Sequence, residues 1–392
     1  MTTDPTGAVD ATHAELARRR SLGPVVVEEV ESTVDGPRQW FGVYRWDEVR
    51  AALSHEALSA CLYHDEMGLG RRYGEVLLGM DPPAHRHHRA VLQPSFSRAS
   101  VSGRLRSAVT TPVDAAVDGL VDGRSGLGGR ADLLPALCEP VPVRVLTALL
   151  GVPADLAGLL ADQAVVLGRG EPDRSVEVAD ELRARVEPLV RARRSAPPGD
   201  DLISVLAHGT VAGRPLSDVE VFSHVRLLAI AGTDTVTRAM GNLLAALLTH
   251  PTQLAAVRED PRLVPAAVEE AIRWECPAVS VPRIARTDLE LAGASIPAGS
   301  AVRVSLGAAN RDPARWAHPE RYEVTRAALP HAGFGIGAHS CLGLHLAHVL
   351  LGHVVTTLLG RLPGLRLDAE VPRPVVVGTD LRAPTHLAVR WD

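Results

Sequence analysis

The chain has 392 residues, 46% of them hydrophobic and 22% charged, so it can bury a large core. A total of 41 Lys and Arg residues against 46 Asp and Glu residues gives a formal net charge of -5. No long run carries a single sign, which argues against a nucleic-acid binder and against a membrane-surface binder. The 4 cysteines lack paired spacing and indicate a reduced, cytoplasmic protein. With no signal-peptide core and no run of roughly eighteen apolar residues, the sequence predicts neither export nor a membrane span.

The N-terminal part predicts an arm followed by short strands. Residues 1–20 are polar, and we expect them to be a mobile arm. Residues 25–30 and 40–46 are typical of strands, and Asp47 can cap a helix that reaches Leu53. Residues 58–80 carry several glycines and no clear period, which predicts a long adaptable loop.

A basic segment follows this loop. Asp81 with two prolines behind it predicts a helix start, and His85 and Arg89 at i, i+4 share one face. Taken alone, this pattern indicates a solvated basic face. Together with His87 and His88 it could also bind a metal ion adventitiously.

Helices dominate the middle of the chain. They are predicted over 104–121, 132–150, 154–168 and 176–194, with Gly- and Pro-containing loops between them. Ser217 and Glu220 form a capping-box pattern that opens a helix of roughly 33 residues, about 50 Å long. At its centre, residues 231–235 (Ala-Gly-Thr-Asp-Thr) lower the helix propensity, and Asp234 would be costly to bury. Either this is a harmless polar face, or a loosened turn makes room for a ligand beside an acid and a hydroxyl.

The most informative stretch is residues 331–345. Gly333, Gly335 and Gly337 allow a tight loop, and the apolar spacing that follows places Cys341 at the start of a buried helix. Backbone N–H groups and the helix dipole favour a thiolate there, which would suit a soft or redox-active metal. Three alternatives compete: a phosphate loop, half of a zinc site with His345, and a buried structural cysteine.

The pattern Phe334-Gly-x-Gly-x-His339-x-Cys341-Leu-Gly343 closely resembles the haem-ligand loop of the cytochrome P450 family, soluble bacterial type. Further family motifs follow the same order from Met80 to Leu367. The resemblance implies a mainly α fold with a smaller β-rich portion, a long central helix and a cysteine haem-ligand loop. It also implies one domain over residues 1–392, with the helices around residues 171–172 as a lid.

The resemblance also assigns roles to residues. Cys341 would be the iron ligand of haem b, in a loop that includes Phe334, Gly335 and Gly343. The haem propionates would be held by His85, Arg89, Arg283 and His339. Asp234 and Thr235 would deliver protons, while Glu270 and Arg273 would form a structural triad with Arg321. Apolar substrate contacts are expected from Leu227, Ile230, Ala231, Val279 and Val281.

The implied reaction is hydroxylation of a small to medium hydrophobic molecule, with one oxygen atom taken from O2. Electrons would come from NAD(P)H through a separate ferredoxin or flavodoxin and its reductase, because the sequence contains no recognisable flavin or iron–sulfur segment. We expect a cytoplasmic monomer that acts in secondary metabolism. Radical coupling or desaturation remains an alternative, as does a non-catalytic haem or ligand carrier.

Overall fold

The computed structural model describes residues 11–29, 31–33, 36–61, 75–123, 129–169 and 172–392. Its helices are α1 (Ala11–Leu22), α2 (Trp46–Leu53), α3 (Ala84–Leu92), α4 (Arg98–Ser102), α5 (Arg106–Asp122), α6 (Pro140–Leu150), α7 (Ala157–Arg169), α8 (Pro172–Arg194), α9 (Leu202–Ala207), α10 (Asp218–Thr249), α11 (Pro251–Glu259), α12 (Val264–Trp274), α13 (Leu306–Ala309) and α14 (Leu344–Arg361). The strands are β1 (Val25–Val27), β2 (Glu31–Thr33), β3 (Gly36–Arg38), β4 (Trp40–Val43), β5 (Leu58–Ser59), β6 (Gly129–Asp132), β7 (Thr210–Val211), β8 (Arg214–Pro215), β9 (Ser280–Ala285), β10 (Leu289–Leu291), β11 (Ala294–Ile296), β12 (Ala301–Ser305), β13 (Arg366–Leu367), β14 (Val376–Val377), β15 (Ala383–Pro384) and β16 (Ala388–Trp391).

The main sheet has the strand order β1-β4-β12-β9-β5. Strand β12 runs parallel to β4 and antiparallel to β9. A second sheet joins β13, β16 and β6, and the other strands form two-stranded ribbons. The main sheet and α2 share one apolar core, which includes Val43, Val49 and Val302. The predicted mainly α fold with a smaller β-rich portion is therefore confirmed.

Helix α10 is the central element, as predicted. It has 32 residues and begins with the expected capping box, in which the Ser217 hydroxyl accepts from the Glu220 N–H and Glu220 accepts from the Ser217 N–H. At 1.5 Å per residue it is about 48 Å long. It packs against α6, α7, α8 and α12, and α14 packs against α5 and α12. Within the described ranges, no helix is both long and apolar enough to cross a membrane.

Of the two alternatives for the centre of α10, the structure contradicts the loosened turn. The helix runs without interruption through residues 231–235. The Thr233 hydroxyl donates to the Ala229 carbonyl at 2.6 Å, and the Thr235 hydroxyl donates to the Ala231 carbonyl at 2.8 Å. These bonds run back to the carbonyl four residues earlier, so the hydroxyls are satisfied within the helix and do not divert its backbone.

The prediction of a mobile arm over residues 1–20 is wrong from Ala11 onward, because α1 is an ordered helix packed against α13. His13 is buried, and its Nε2 lies 2.9 Å from a carboxylate oxygen of Glu275. Arg20 donates to the Ala308 carbonyl at 2.8 Å. These contacts join α1 to segments more than 260 residues away, so no local pattern could reveal them. Residues 1–10 lie outside the described part of the chain, as do residues 62–74 of the predicted loop.

Most predicted helices are confirmed, with one clear exception. The segment predicted as a helix over 132–150 starts as strand β6, passes through a π-helical turn at Leu134–Cys138 and becomes α-helical only at Pro140. Strand β6 pairs with β16, and this pairing from the far end of the chain overrides the local helical pattern.

The buried triad on α12 differs from the expected one by one arginine. Arg273 binds the Glu270 carboxylate at 2.7 and 2.8 Å, and both side chains are buried. The second arginine on Glu270 is Arg326, whose Nε lies 2.9 Å from Oε1. The prediction that Arg321 completes this triad is therefore wrong. Arg321 contributes its backbone carbonyl, which accepts from Arg273 at 3.1 Å and from Arg326 at 2.9 Å.

Candidate active site

The loop before α14 closes tightly on itself. Gly335 and Gly337 have φ values of 67° and 77°, in the left-handed region that favours glycine. The Gly335 N–H donates to the Ala332 carbonyl at 2.8 Å, and the Cys341 N–H donates to the Phe334 carbonyl at 2.7 Å. Helix α14 then starts directly after Gly343. The loop therefore delivers Cys341 to the N-terminus of a helix, as its glycines predicted.

Cys341 is the accessible cysteine of the chain. Cys61, Cys138 and Cys276 are buried, whereas Cys341 is exposed. Burial among surrounding protein atoms raises the pKa of the Cys341 thiol, while the Gly343 backbone N–H and the charge of Arg89 act to lower it. An exposed thiol that is also crowded by protein faces a recess rather than the open surface. The structural-cysteine alternative is therefore disfavoured.

Four basic side chains converge beside this thiol. His85 and Arg89 lie on α3, Arg283 lies on β9, and His339 lies in the loop before Cys341. The rings of His85 and His339 have centroids 4.1 Å apart. Burial, followed by the charges of His85, Arg283 and Arg89, lowers the pKa of His339 to about 3. The structure thus brings together all four side chains that the sequence suggested for an anionic group.

Asp81 is the carboxylate that opposes this cluster, because its charge raises the pKa of both His85 and His339. It is already engaged by the Ser59 hydroxyl, by the Ala60 N–H at 3.2 Å and by Arg286 at 3.2 Å. Although burial acts to raise its pKa, these bonds lower it. Asp81 is therefore an ionised carboxylate with partners of its own, next to a cluster of four basic side chains.

The expected proton-delivery residues lie on α10, and Asp234 has an arginine partner that was not predicted. Arg238 Nε lies 3.0 and 2.9 Å from the two carboxylate oxygens of Asp234. Arg238 is four residues after Asp234, so helical spacing could have revealed this partner. Thr235 is half-buried beside Asp234.

The expected substrate contacts on α10 share one face of the helix. Leu227, Ile230 and Ala231 precede Asp234 by seven, four and three residues. Ala231 is exposed although α10 is buried along most of its length. An exposed alanine at the centre of a buried helix indicates a recess against this face.

The expected contacts near β9 divide between two places. Val281 precedes Arg283 by two residues in the strand and so shares its face. Its side chain packs against the core of the main sheet. Val279 is buried just before β9 and also borders a recess of about 770 Å³ that is lined by α1 and β1.

A histidine pair on α3 and α10 was not predicted. His88 Nδ1 lies 2.9 Å from His224 Nε2, and both side chains are buried. Glu220 lies 3.7 Å from His88 Nε2. The two histidines are 136 residues apart, so no sequence signal links them. Across the described ranges, no three His, Cys, Asp or Glu side chains converge as a metal-ligand set.

Comparisons with known proteins identify the family. The family model described as Cytochrome P450 matches residues 174–364. Pentalenic acid synthase of Streptomyces avermitilis is 36% identical over 321 residues, covering 81% of this chain and 78% of that protein. The chain belongs to the cytochrome P450 family. Mycinamicin IV hydroxylase/epoxidase of Micromonospora griseorubida is 36% identical over 369 residues, covering 91% of this P450 and 90% of that enzyme. The solved structure of the Bacillus subtilis bacillaene polyketide synthase cytochrome P450 PksS superposes with a TM-score of 0.87 at 25% identity, covering 98% of both chains.

This P450 is accordingly an oxidoreductase of the bacterial monooxygenase type found in secondary metabolism, and its family uses haem iron with a cysteine thiolate ligand. The residues of this site fit that group. An accessible thiol stands at a helix N-terminus, and four basic side chains lie close together beside it. Haem presents an iron that takes a thiolate and carboxylates that need such charges.

Proposed function

We propose that this P450 is a haem-thiolate monooxygenase with Cys341 as the proximal iron ligand. The observation that carries the proposal is the coincidence of the accessible Cys341 thiol with the cluster of His85, Arg89, Arg283 and His339. A metal held by one thiolate and one macrocycle also agrees with the lack of a multi-residue ligand set within the described ranges.

The basic cluster would hold the two haem propionates. Arg283 and His85 are both buried, so carboxylates bound to them would be shielded from water. Charge-assisted hydrogen bonds from the two arginines would offset the cost of removing the propionates from water. The same contacts would raise the pKa of His339, which burial and like charges otherwise lower.

When bound, the haem supplies activation of O2 and insertion of one oxygen atom into a C–H bond. Residues on α10 would supply the protons. The Thr235 hydroxyl donates a hydrogen bond to the Ala231 carbonyl, so its oxygen would accept a hydrogen bond from the group that passes the proton on. The Asp234 carboxylate beside it is partly exposed to water, as a group that relays protons must be.

The substrate would be a small to medium hydrophobic molecule, aliphatic or fused-ring. The side chains proposed to contact it are Leu227, Ile230, Ala231, Val279 and Val281. All five are apolar and modest in size, and aromatic residues make up only 3% of the chain. The hydroxylase/epoxidase name of one relative supports oxygen insertion as the reaction.

Electrons would come from NAD(P)H through a separate ferredoxin or flavodoxin and its reductase. Helix α3 carries His85 and Arg89 on its inner face, and Arg86 and His87 are exposed on its other side. This outer surface is basic and lies on the helix that carries His85 and Arg89, so an acidic donor docked there would be close to the haem.

The spectrum of the reduced, CO-bound holoprotein tests the proposal. We expect a strongly red-shifted, thiolate-type Soret band in the parent protein and its loss in Cys341→Ser. A parent protein that binds haem without this band would overturn the assignment of Cys341. Incubation under ¹⁸O2 with a substrate found by a spin-state screen should add one labelled oxygen atom to the product. A product that lacks the label would favour coupling or desaturation instead.

A further inference from the structure

The cysteine loop has a second point of attachment, on helix α12. Glu269 of α12 receives a hydrogen bond from His331 Nε2 on its Oε2 at 2.9 Å. Its other oxygen, Oε1, lies against His348 Nε2 of α14. One carboxylate thus joins α12, the start of the loop and the helix that follows Cys341.

The hydrogen bonds of His331 show which of its ring nitrogens carries the proton. The Gly333 backbone N–H lies 3.1 Å from His331 Nδ1. A backbone N–H can only donate, so Nδ1 is an acceptor and the ring proton is on Nε2. His331 therefore donates to Glu269 and accepts from the loop, and the carboxylate fixes both bonds. Burial acts to raise the pKa of Glu269, but the hydrogen bonds from His331 and His348 lower it below its usual range, so Glu269 is ionised.

Both imidazoles contact Phe334, the aromatic residue of the loop. The His331 ring stacks on Phe334 with centroids 5.9 Å apart and an interplanar angle of 29°. The His348 ring meets Phe334 edge-on at 5.1 Å and 76°. The Phe334 carbonyl in turn accepts the Cys341 N–H at 2.7 Å. Glu269 is therefore connected with the backbone of Cys341 through three successive contacts, by way of His331 and Phe334.

The cysteine loop also packs directly on α12. A Cβ at Gly333 would lie 2.6 Å from Ile272 Cγ2 and 3.0 Å from the Ile272 carbonyl oxygen, so only glycine allows this approach. The Ala332 N–H donates to Asn310 Oδ1 at 2.7 Å. Glu269 thus acts from a helix that is already in contact with the loop.

We propose that Glu269, His331 and His348 form a clamp that positions Phe334 and, through it, Cys341 in its thiolate-ligating conformation. The inference rests on the proposed role of Cys341 as the haem ligand. Within the clamp Glu269 is a positioning residue, because it acts through the imidazoles and touches neither the thiol nor the recess. Its negative charge would also lower the haem midpoint potential by stabilising the oxidised iron.

The test uses holoprotein variants Glu269→Gln and Glu269→Ala, with Glu259→Gln as the matched control. Glu259 is exposed near the end of α11, which is the preceding helix. In a urea series, the ratio of thiolate-type to thiol-type CO complex should fall roughly tenfold in Glu269→Ala, which corresponds to loss of about 1.4 kcal/mol. The ratio for Glu269→Gln should lie between those of the parent protein and Glu269→Ala, since the glutamine carbonyl still accepts a hydrogen bond from His331. The midpoint potential of Glu269→Gln should be more positive than that of the control.

The outcomes separate this inference from the proposed function. A parent protein without the thiolate-type band would overturn the role of Cys341 itself. A normal parent band, with Glu269 variants that match Glu259→Gln in both ratio and potential, would overturn the clamp alone. If Glu269→Ala does not fold, a double-mutant cycle between Glu269→Gln and His348→Leu tests the clamp through the same ratio of CO complexes. Coupled effects on the ratio support the clamp, and additive effects contradict it.

Discussion

Asp234 and Arg238 lie one turn apart on α10, and Arg238 Nε is 2.9 and 3.0 Å from the two carboxylate oxygens of Asp234. The pair is partly exposed, with about a third of each side chain accessible, so it contributes little to stability. Its effect is to fix the direction of the carboxylate at the centre of the helix. In a proton path this orientation matters more than the strength of the pair.

We therefore expect Arg238→Gln to lower the yield of oxidised product per NAD(P)H by about threefold, and Asp234→Asn to lower it by about tenfold or more. The combined variant should behave like Asp234→Asn alone, because Arg238 acts only through the carboxylate. Product and NAD(P)H are measured together in the reconstituted system. A further loss in the combined variant would show that Arg238 acts independently of Asp234.

Thr235→Ala should raise peroxide release per NAD(P)H, because the proposed proton path loses its hydroxyl. Thr233 provides a matched control, since its hydroxyl makes the same bond to the carbonyl four residues earlier but is buried. Thr233→Val should leave peroxide release unchanged, and Thr235→Ser should restore the parent value. Equal peroxide release from Thr235→Ala and the parent protein would remove the proton-delivery role of Thr235.

The triad on α12 gives a prediction about stability. Arg326 and Glu270 are almost fully buried, so Arg326→Gln should lower the free energy of unfolding by about 3 kcal/mol. Arg321 has an exposed side chain and contributes only its backbone carbonyl to the triad. Arg321→Gln should therefore change the free energy of unfolding by less than about 0.5 kcal/mol. Urea unfolding of the two holoprotein variants compares them directly. The reverse order would restore Arg321 as the third member of the triad.

These cases show which features local sequence could predict. The capping box at Ser217, the glycines before Cys341 and the shared face of His85 and Arg89 all depend on residues within one or two turns, and all were found in place. The pairing of Glu270 with Arg326 in place of the expected Arg321 depends on the path of an irregular segment, which local sequence does not define. The contacts His88–His224 and His13–Glu275 join residues 136 and 262 positions apart. Only tertiary packing brings such groups together, so spacing could not indicate them.

The His88–His224 contact predicts how acid affects stability. Burial, with a smaller effect from the charge of His88, lowers the pKa of His224 from 6.5 to about 4, while Glu220 acts in the opposite direction. Between these values the unfolded chain binds a proton that the folded protein does not bind. The folded state therefore loses stability as the pH falls from about 6.5 towards 4. For this one group the loss between pH 7 and pH 5 is about 2 kcal/mol.

The His224→Gln variant removes this titration, so its free energy of unfolding should fall less than that of the parent protein between pH 7 and pH 5. Urea unfolding of both holoproteins at the two pH values measures the difference, which we expect to be about 2 kcal/mol. The control is His87→Gln on the exposed side of α3. Its loss of unfolding free energy between pH 7 and pH 5 should differ from that of the parent protein by less than about 0.5 kcal/mol. If the parent and His224→Gln lose equal stability on acidification, the folded protein and the unfolded chain bind a proton at His224 equally, and burial does not lower its pKa.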